Sequence, residues 1–497
     1  MGKVRWVVSR TAATAVAIGG LRAARKARKV DPLMNPVSDL DRTGRNKRVV
    51  GLGGRTGANL AAHKARRVFA GAERRDTIDR EYEVKTAEQV VETLGEMKGA
   101  LMKIGQMASF LDAGMPDHVK EVLAQLQQNA PPMSHELVEE MIVEELGKTT
   151  AELFAEFDPD PIAAASIGQV HRAITHGGDA VAVKVQYPGV DKAITSDLAN
   201  ADALFLGLQT LFPGLDPKAI ASELRERIVE ELDYELEATN QELFADYFAG
   251  HPTIHVPGVH RTLSSKRVLT SDLAEGVHFN EVVASWSQDQ RDLAAETIYR
   301  FAFGGIYQIG AFNGDPHPGN YLFRPDGHVV FLDFGLVKRF GDEALQGFEK
   351  LITAMVINKS PGEFRVVAEE LGLLQGEQSY SDELVVEYFS HFYDFVTTDG
   401  EYTMTKEYAA KSVRHIFDPS GRFSEISRTA NVPRDFVILQ RINLGLMSLF
   451  AELNATRNWR RITEELWPWK DDAPPSTPMG EAIAVWVEER ASAAAQA

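Results

Sequence analysis

Asn313-Gly314-Asp315-Pro316-His317-Pro318-Gly319-Asn320, followed after an apolar strand by Asp333-Phe334-Gly335, is the most informative stretch of this chain. It supplies Asp315, Asn320 and Asp333 within one short span. Upstream, Lys184 ends the run Val181-Ala182-Val183-Lys184, and Glu237 lies in the acidic, helix-patterned stretch from Glu230 to Glu242. Transfer of a phosphoryl group needs these parts: a cation on the phosphates, a carboxylate holding that cation, a carboxylate beside the acceptor, and an Asn/Asp pair for a metal. Any single match carries little weight. Together, in this order, they point to a nucleotide-binding core.

At 497 residues the chain has room for more than one folding unit, and its 44% apolar and 25% charged content is that of an ordinary globular protein. The absence of cysteine excludes disulfides, thiolate zinc sites, iron–sulfur clusters and a thiol nucleophile. Charge is unevenly spread. Residues 1–49 hold 12 Lys/Arg against 3 Asp/Glu, a net of +9, so with a total of −18 the remainder carries −27. An acidic body argues against nucleic acid as a partner. The basic start argues for an anionic surface, most simply lipid headgroups. Trp6 to Leu21 is mildly apolar but interrupted by Arg10 and short for a span, and Arg22, Arg25, Lys26, Arg28 and Lys29 follow it. Residues 1–30 are thus open to three readings: a helix lying on a membrane, a solvated tail, or an anchor.

Residues 30–60 read as linker, and Gly51 to Gly57 as a flexible loop, since no strand precedes it and no Lys-Ser/Thr closes it. Gly147-Lys148-Thr149 lacks the earlier glycine of a phosphate loop, and Gly147 reads as a helix C-cap. Helical spacing of apolar residues runs from Thr86 to Leu126, divided by Pro116, and another helix is expected over 134–157. Two strands are expected around Gly177-Gly178 within Ile162 to Val185, helix over 217–248 and 287–311, a strand at Val268 to Leu273, and a hairpin around Pro325-Asp326-Gly327. Beyond 342 the pattern is helical. Phe436 to Phe450 reads as a buried helix rather than a span, because Gln440, Arg441 and Asn443 interrupt it.

Ala163-Ala164-Ala165-Ser166-Ile167-Gly168-Gln169-Val170 stands where a phosphate-covering hairpin would lie before Lys184. Alanine allows a tight hairpin but not positive φ, so this cover should be stiffer than a glycine-rich one. Lys184 alternates with Val181, Val183 and Val185 and must point to a cleft or to solvent. On one continuous helix at about 100° per residue, Glu231 and Glu237 would diverge by roughly 120°, while Asp233 and Glu237 would share a face. Lys103 and Gln106, three apart in Lys103-Ile104-Gly105-Gln106, share a helix face, and Gly105 permits close approach of another element.

Lys103 to Gln106, Ala163 to Ser166, Val181 to Lys184, Glu231-Leu232-Asp233 with Glu237, Asp315 to Asn320 and Asp333-Phe334-Gly335 together resemble the UbiB family of atypical kinases, the AarF-domain kinases. The resemblance covers about residues 85–350. It implies an α+β, protein-kinase-like two-lobe fold with an N-terminal helical extension covering the active site and a helical C-lobe. It implies ATP with Mg²⁺ or Mn²⁺, kinase or ATPase activity, and a role in isoprenoid quinone biosynthesis or lipid handling. By the same carry-over, Lys184 neutralises phosphates and Glu237 holds Lys184. Asn320 and Asp333 ligate metal, and Asp315 orients the acceptor. Ala163, Ala164, Ala165, Ser166 and Val170 cover the phosphates, and Thr270 to Leu273, with Ser271 and Leu273, forms the hinge for adenine. Lys103 and Gln106 would project into the cleft near Glu231 and Asp233, and with Gly105 these make up the family's regulatory motif.

The chain departs from ordinary protein kinases in having Asn313-Gly314-Asp315 in place of His-Arg-Asp and no Ala-Pro-Glu after Asp-Phe-Gly. His317, between two prolines, reads as a loop residue. The expected division is a basic segment and linker (1–60), helical extension (61–157), N-lobe (158–275), C-lobe (276–470), and a mobile tail with a short helix near Trp486 (471–497). The expected location is cytoplasmic, peripheral on the inner face of a membrane. Two other functions fit the same residues: a nucleotide-binding, pseudokinase-like regulator of a biosynthetic complex, and a small-molecule phosphotransferase of the aminoglycoside or choline kinase type.

Overall fold

Gly178 takes a φ of 93°, which lets the chain reverse between two strands of alternating apolar residues. The structure, a computed structural model, describes residues 133–497 apart from 166, 192–228, 375–379, 391–393, 410, 412–421, 424–425, 427–433, 471–472 and 497. Residues 1–30, Lys103, Gly105, Gln106 and Ser166 lie outside the described residues.

In chain order, helix α1 (His135–Leu146) leads to strands β1 (Phe154–Phe157), β2 (Ala163–Ala164), β3 (Gly168–Thr175) and β4 (Ala180–Gln186). Helix α2 (Tyr234–Tyr247), the short strand β5 (Ile254–His255) and strand β6 (Val268–Asp272) follow. β1, β3, β4 and β6 lie side by side in one antiparallel sheet, with β2 folded onto β3. Val181, Val183 and Val185 turn to one face of β4 and pack with Val138, Met141 and Ile142 of α1 in a small core. Gly168 is required where β3 meets β4, because a Cβ there would lie 2.2 Å from the Val185 carbonyl oxygen.

A second, larger core surrounds helices α3 (Phe279–Ser285) and α4 (Gln288–Gly304). Ser287 and Gln290 form a capping box that starts α4, and every residue from Ala294 to Gly304 is buried. Strands β7 (Ala311–Asn313), β8 (Tyr321–Phe323), β9 (Val329–Phe331) and β10 (Val337–Arg339) follow. β8 and β9 form the expected hairpin, β5 runs parallel to β9, and β10 pairs with β7. The remainder is mainly helical, with α5 (Asp342–Ile352), α6 (Pro361–Glu370), α7 (Asp382–Ser390), α8 (Arg434–Leu453), α9 (Trp459–Leu466) and α10 (Pro478–Gln496), interrupted by a short antiparallel pairing of Tyr402–Thr403 with Thr456–Arg457. The buried charges of α4 are paired, Arg300 with Glu296 and with Glu465 of α9, and Glu296 also with Arg457.

α2 belongs to both cores. Tyr234 and Ala238 pack into the small one, Phe244 and Phe248 into the large one. The architecture is α+β and kinase-like: a small lobe built on a sheet and a large lobe built on helices.

Four local expectations are corrected. The helix expected over 134–157 stops at Leu146, because Gly147 (φ 71°) takes the left-handed cap, and Phe154–Phe157 pairs with β3 instead. The small lobe therefore begins before residue 158. Of the helix expected over 217–248, the described part breaks at Leu232-Asp233, where the Asp233 carboxylate accepts the N–H groups of Glu235 and Leu236 and starts α2. The tail, expected mobile with a short helix, forms the 19-residue α10. Trp486 anchors it by donating Nε1–H to the Ala249 carbonyl (3.0 Å), while Arg490 stacks on Tyr247 and Trp486 and donates to the Tyr247 carbonyl. The apolar run Phe436 to Phe450 lies in α8, with Leu446, Met447, Leu449 and Phe450 buried in the large core, and among the described residues no helix is long and apolar enough to cross a membrane.

Trp486→Ala should lower unfolding stability by about 3 kcal/mol in urea titration. A loss below about 0.5 kcal/mol, the size of an ordinary surface substitution, would show that α10 is only loosely held.

Candidate active site

The alternation that buries Val183 and Val185 turns Lys184 to the opposite face of the sheet, with Val170 of β3 and Leu269 of β6 directly across. Its ammonium donates to both oxygens of Glu237, at 2.7 and 2.9 Å, and lies 3.9 Å from Asp333 Oδ2. It also sits 4.8 Å above the ring of the buried Tyr234. Lys184 is 18% exposed, Glu237 2% and Asp333 33%. The group opens to solvent on the Asp333 side.

Burial disfavours the Lys184 ammonium, but the carboxylates of Glu237 and Asp333 outweigh it and hold its pKa well above the ordinary value. Burial pushes Glu237 up to about 7, against the pull of Lys184. The cation is secure.

The buried face of α2 also carries two amides with structural tasks. Asn240 Nδ2 donates to the carbonyl of Phe334 (3.2 Å), in the centre of Asp-Phe-Gly. Gln241 Nε2 donates to the carbonyl of Pro257 (2.7 Å). The helix that presents Glu237 is thus tied both to the segment carrying Asp333 and to the loop after β5.

The Asp315–Asn320 turn is knitted by its own backbone. The N–H of His317 donates to Asp315 O (2.7 Å), and that of Asn320 to His317 O (2.9 Å). Asn320 Nδ2 donates to Asp315 O at 3.0 Å, leaving Oδ1 as its acceptor atom. Asn313 Nδ2 donates to Asp333 O (2.6 Å), joining the turn to Asp-Phe-Gly. Asp333 Oδ1 accepts the N–H of Gly335 (2.9 Å). Burial raises the Tyr321 hydroxyl pKa, and the charges of Asp315 and Asp333 raise it further. His317 Nδ1 accepts the N–H of Gly319 (3.1 Å), a loop task.

The structure therefore brings Lys184, Glu237 and Asp333 together, with Asp315 and Asn320 adjoining. It also corrects the expectation for Glu231. A Cβ placed on Gly335 would lie 3.6 Å from Glu237 Oε2 and 3.8 Å from Glu231 Cγ, so the two acids flank the same glycine. The break at Asp233 removes the continuous helix on which 120° of divergence was reckoned. Asp233 does not share a helix face with Glu237 but caps the helix below it.

Ala163 and Ala164 form β2 opposite Val170 and Gln169, and the N–H of Ala165 donates to Gly168 O (3.0 Å), closing a tight cover. Ser271 lies across from Ala182. The N–H groups of Asp272 and Leu273 are spent on Gly258 O and Ala180 O, both at 2.9 Å.

Sequence reading missed a buried polar chain behind the cover. Met133 N–H donates to Gln169 Oε1 (2.8 Å), Gln169 Nε2 meets His171 Nε2 (2.8 Å), and His171 Nδ1 meets the Asp158 carbonyl (2.8 Å). Burial lowers the pKa of His171, so the ring is neutral, donating from Nδ1 and accepting at Nε2. The available signal was Gln169 and His171 on the core-facing phase of β3.

The ABC1 atypical kinase-like domain matches residues 125–362. A protein of Synechocystis sp., itself uncharacterised, is 36% identical over 253 residues, 50% of this chain and 37% of its own length. The atypical kinase COQ8B, mitochondrial, of Rattus norvegicus is 34% identical over 270 residues, 54% of this chain and 51% of its own length. The chain spans between 37% and 64% of the length of the curated relatives it matches. Among solved structures, Rv3197 of Mycobacterium tuberculosis, in complex with erythromycin, superposes with a TM-score of 0.58 at 31% identity, covering 79% of this chain and 98% of that one.

Removing one member of the buried pair leaves the other uncompensated. Lys184→Met should cost about 3 kcal/mol of unfolding stability, and adding Glu237→Leu should recover most of it. Additive losses in the double variant, measured by urea unfolding, would contradict the pairing.

Proposed function

The chain belongs to the UbiB family of atypical kinases, the ABC1 kinase-like proteins, and from that premise we propose that it is an ATP-dependent phosphotransferase or ATPase. The observation that carries this reading is the two-oxygen grip of Glu237 on Lys184, with the Asp333 carboxylate 3.9 Å away. An ammonium so held is a fixed positive charge for the α- and β-phosphates.

The donor set fits a hard divalent cation such as Mg²⁺ or Mn²⁺, since Asp333 offers a carboxylate and Asn320 an amide oxygen whose nitrogen is already engaged. Such an ion, when bound, offsets charge on the transferred phosphoryl group. Asp315 orients the acceptor hydroxyl or water and takes its proton late in a loose transition state. The turn that carries Asp315 is rigid, so the carboxylate need not be reorganised during reaction. Adenine lies against the sheet face that bears Val170, Ala182 and Ser271, and the backbone N–H of Ala274, beyond the two spent amides, serves the hinge. The alanine cover replaces a glycine-rich one. The acceptor is an isoprenoid quinone precursor or another lipid, reached from an anionic membrane surface by way of the basic residues 1–30.

Lys184→Ala should weaken ATP binding at least about tenfold. Asp333→Asn should remove the metal-dependent part of the thermal shift given by ATP. Asp315→Asn should lower phosphate release about a hundredfold while leaving ATP affinity near wild type. Phosphate release with and without quinone-precursor lipids measures the acceptor class. Unchanged ATP affinity in Lys184→Ala would overturn the reading.

A further inference from the structure

The last turns of α2, the turn into β5 and the β8–β9 hairpin enclose a cavity of about 450 Å³ lined by none of Lys184, Glu237, Asp315, Asn320 or Asp333; Gly258 alone is common to its lining and the hinge edge. That volume suits a small molecule. Arg324, His251, His255 and His328 line it, with Phe248 and Ile254 as apolar surface.

Arg324 is exposed, and among the described residues its side chain makes one hydrogen bond, from Nε to the Glu275 carbonyl at 3.3 Å, so the terminal guanidinium nitrogens face no carboxylate there. In a chain of net charge −18, a bare guanidinium at a cavity is a directed feature. His251 Nδ1 accepts the N–H groups of Thr253 (3.2 Å) and Ile254 (2.9 Å), which places its proton on Nε2 as a free donor. Burial, with Arg300, His328 and Arg490 nearby, drops its pKa to about 3. Burial and Arg324 also lower that of His255. Both rings are therefore neutral, with Arg324 as the nearby cation and Asp326 taken up by His328 at 3.0 Å.

The carbonyls that end α2 would oppose an anion, but Trp486 and Arg490 occupy those of Ala249 and Tyr247. Asp246 is the one acid in the lining and favours a ligand whose charged end lies away from it, against Arg324.

We infer that this cavity binds a small organic anion, an anionic phosphate or carboxylate on a short apolar body, gripped by Arg324 and hydrogen-bonded by His251 and His255. The phosphate or carboxylate engages the fork geometry of the guanidinium, and the apolar body rests on Phe248 and Ile254. The inference does not depend on ATP being the substrate of the cleft.

Calorimetric titration of the full chain with phenyl phosphate, benzoate and inorganic phosphate at 150 mM salt (roughly physiological screening) tests it. Phenyl phosphate should bind one to one and more tightly than inorganic phosphate. Arg324→Ala should weaken it at least about tenfold and His255→Gln severalfold. The Lys184→Met/Glu237→Leu variant should leave it unchanged. Both cavity substitutions are at exposed positions, and circular dichroism confirms folding; if Arg324→Ala misfolds, His255→Gln decides. Absence of binding, binding indifferent to these changes, or binding lost with the Lys184 variant would overturn the inference. So would Arg324-dependent binding of phosphatidic acid vesicles without binding of phenyl phosphate, which would make the anion a lipid headgroup.

Discussion

An ammonium and a carboxylate buried against each other constrain everything around them. Glu237 is 2% exposed and Lys184 18% exposed, so each must hold the other in place or remain as an uncompensated charge away from water. Position along the chain gives no help, since 53 residues separate the two. The pairing depends on β4 turning Lys184 off the core face, and on α2 beginning near enough that Glu237 lies in its first turn. Asp233 determines that beginning by capping the helix. The strongest electrostatic contact in the cleft thus depends on a modest local one.

The surrounding hydrogen bonds follow the same logic. Asn240 reaches the Phe334 carbonyl, Asn313 the Asp333 carbonyl, and Asn320 the Asp315 carbonyl. Three amide side chains thereby hold the acidic segments by their backbones. Arrangements of this kind keep charged groups in position without rearrangement during chemistry.

Much of this was legible in the amino-acid order. Alternating valines around Lys184, the glycine turns at 178 and 327, and the spacing from Asp315 to Asp333 each encode local geometry directly. What escaped was non-local or depended on a break. Glu231 was placed away from Glu237 by helical arithmetic that assumed an unbroken helix, whereas an aspartate N-cap can start a new one. Phe154–Phe157 was read as helix because its strand character comes from pairing with β3 rather than from its own pattern. The docking of α10 was hidden because Trp486 finds its acceptor 237 residues away, at Ala249.

Membership of α2 in both hydrophobic cores has a further consequence. Tyr234 and Ala238 bind it to the small lobe, Phe244 and Phe248 to the large one. Swinging such a helix outward, the movement that silences many regulated phosphotransferases, would expose apolar surface in one lobe or the other. Such a swing would therefore carry the cost of that exposed apolar area in this protein.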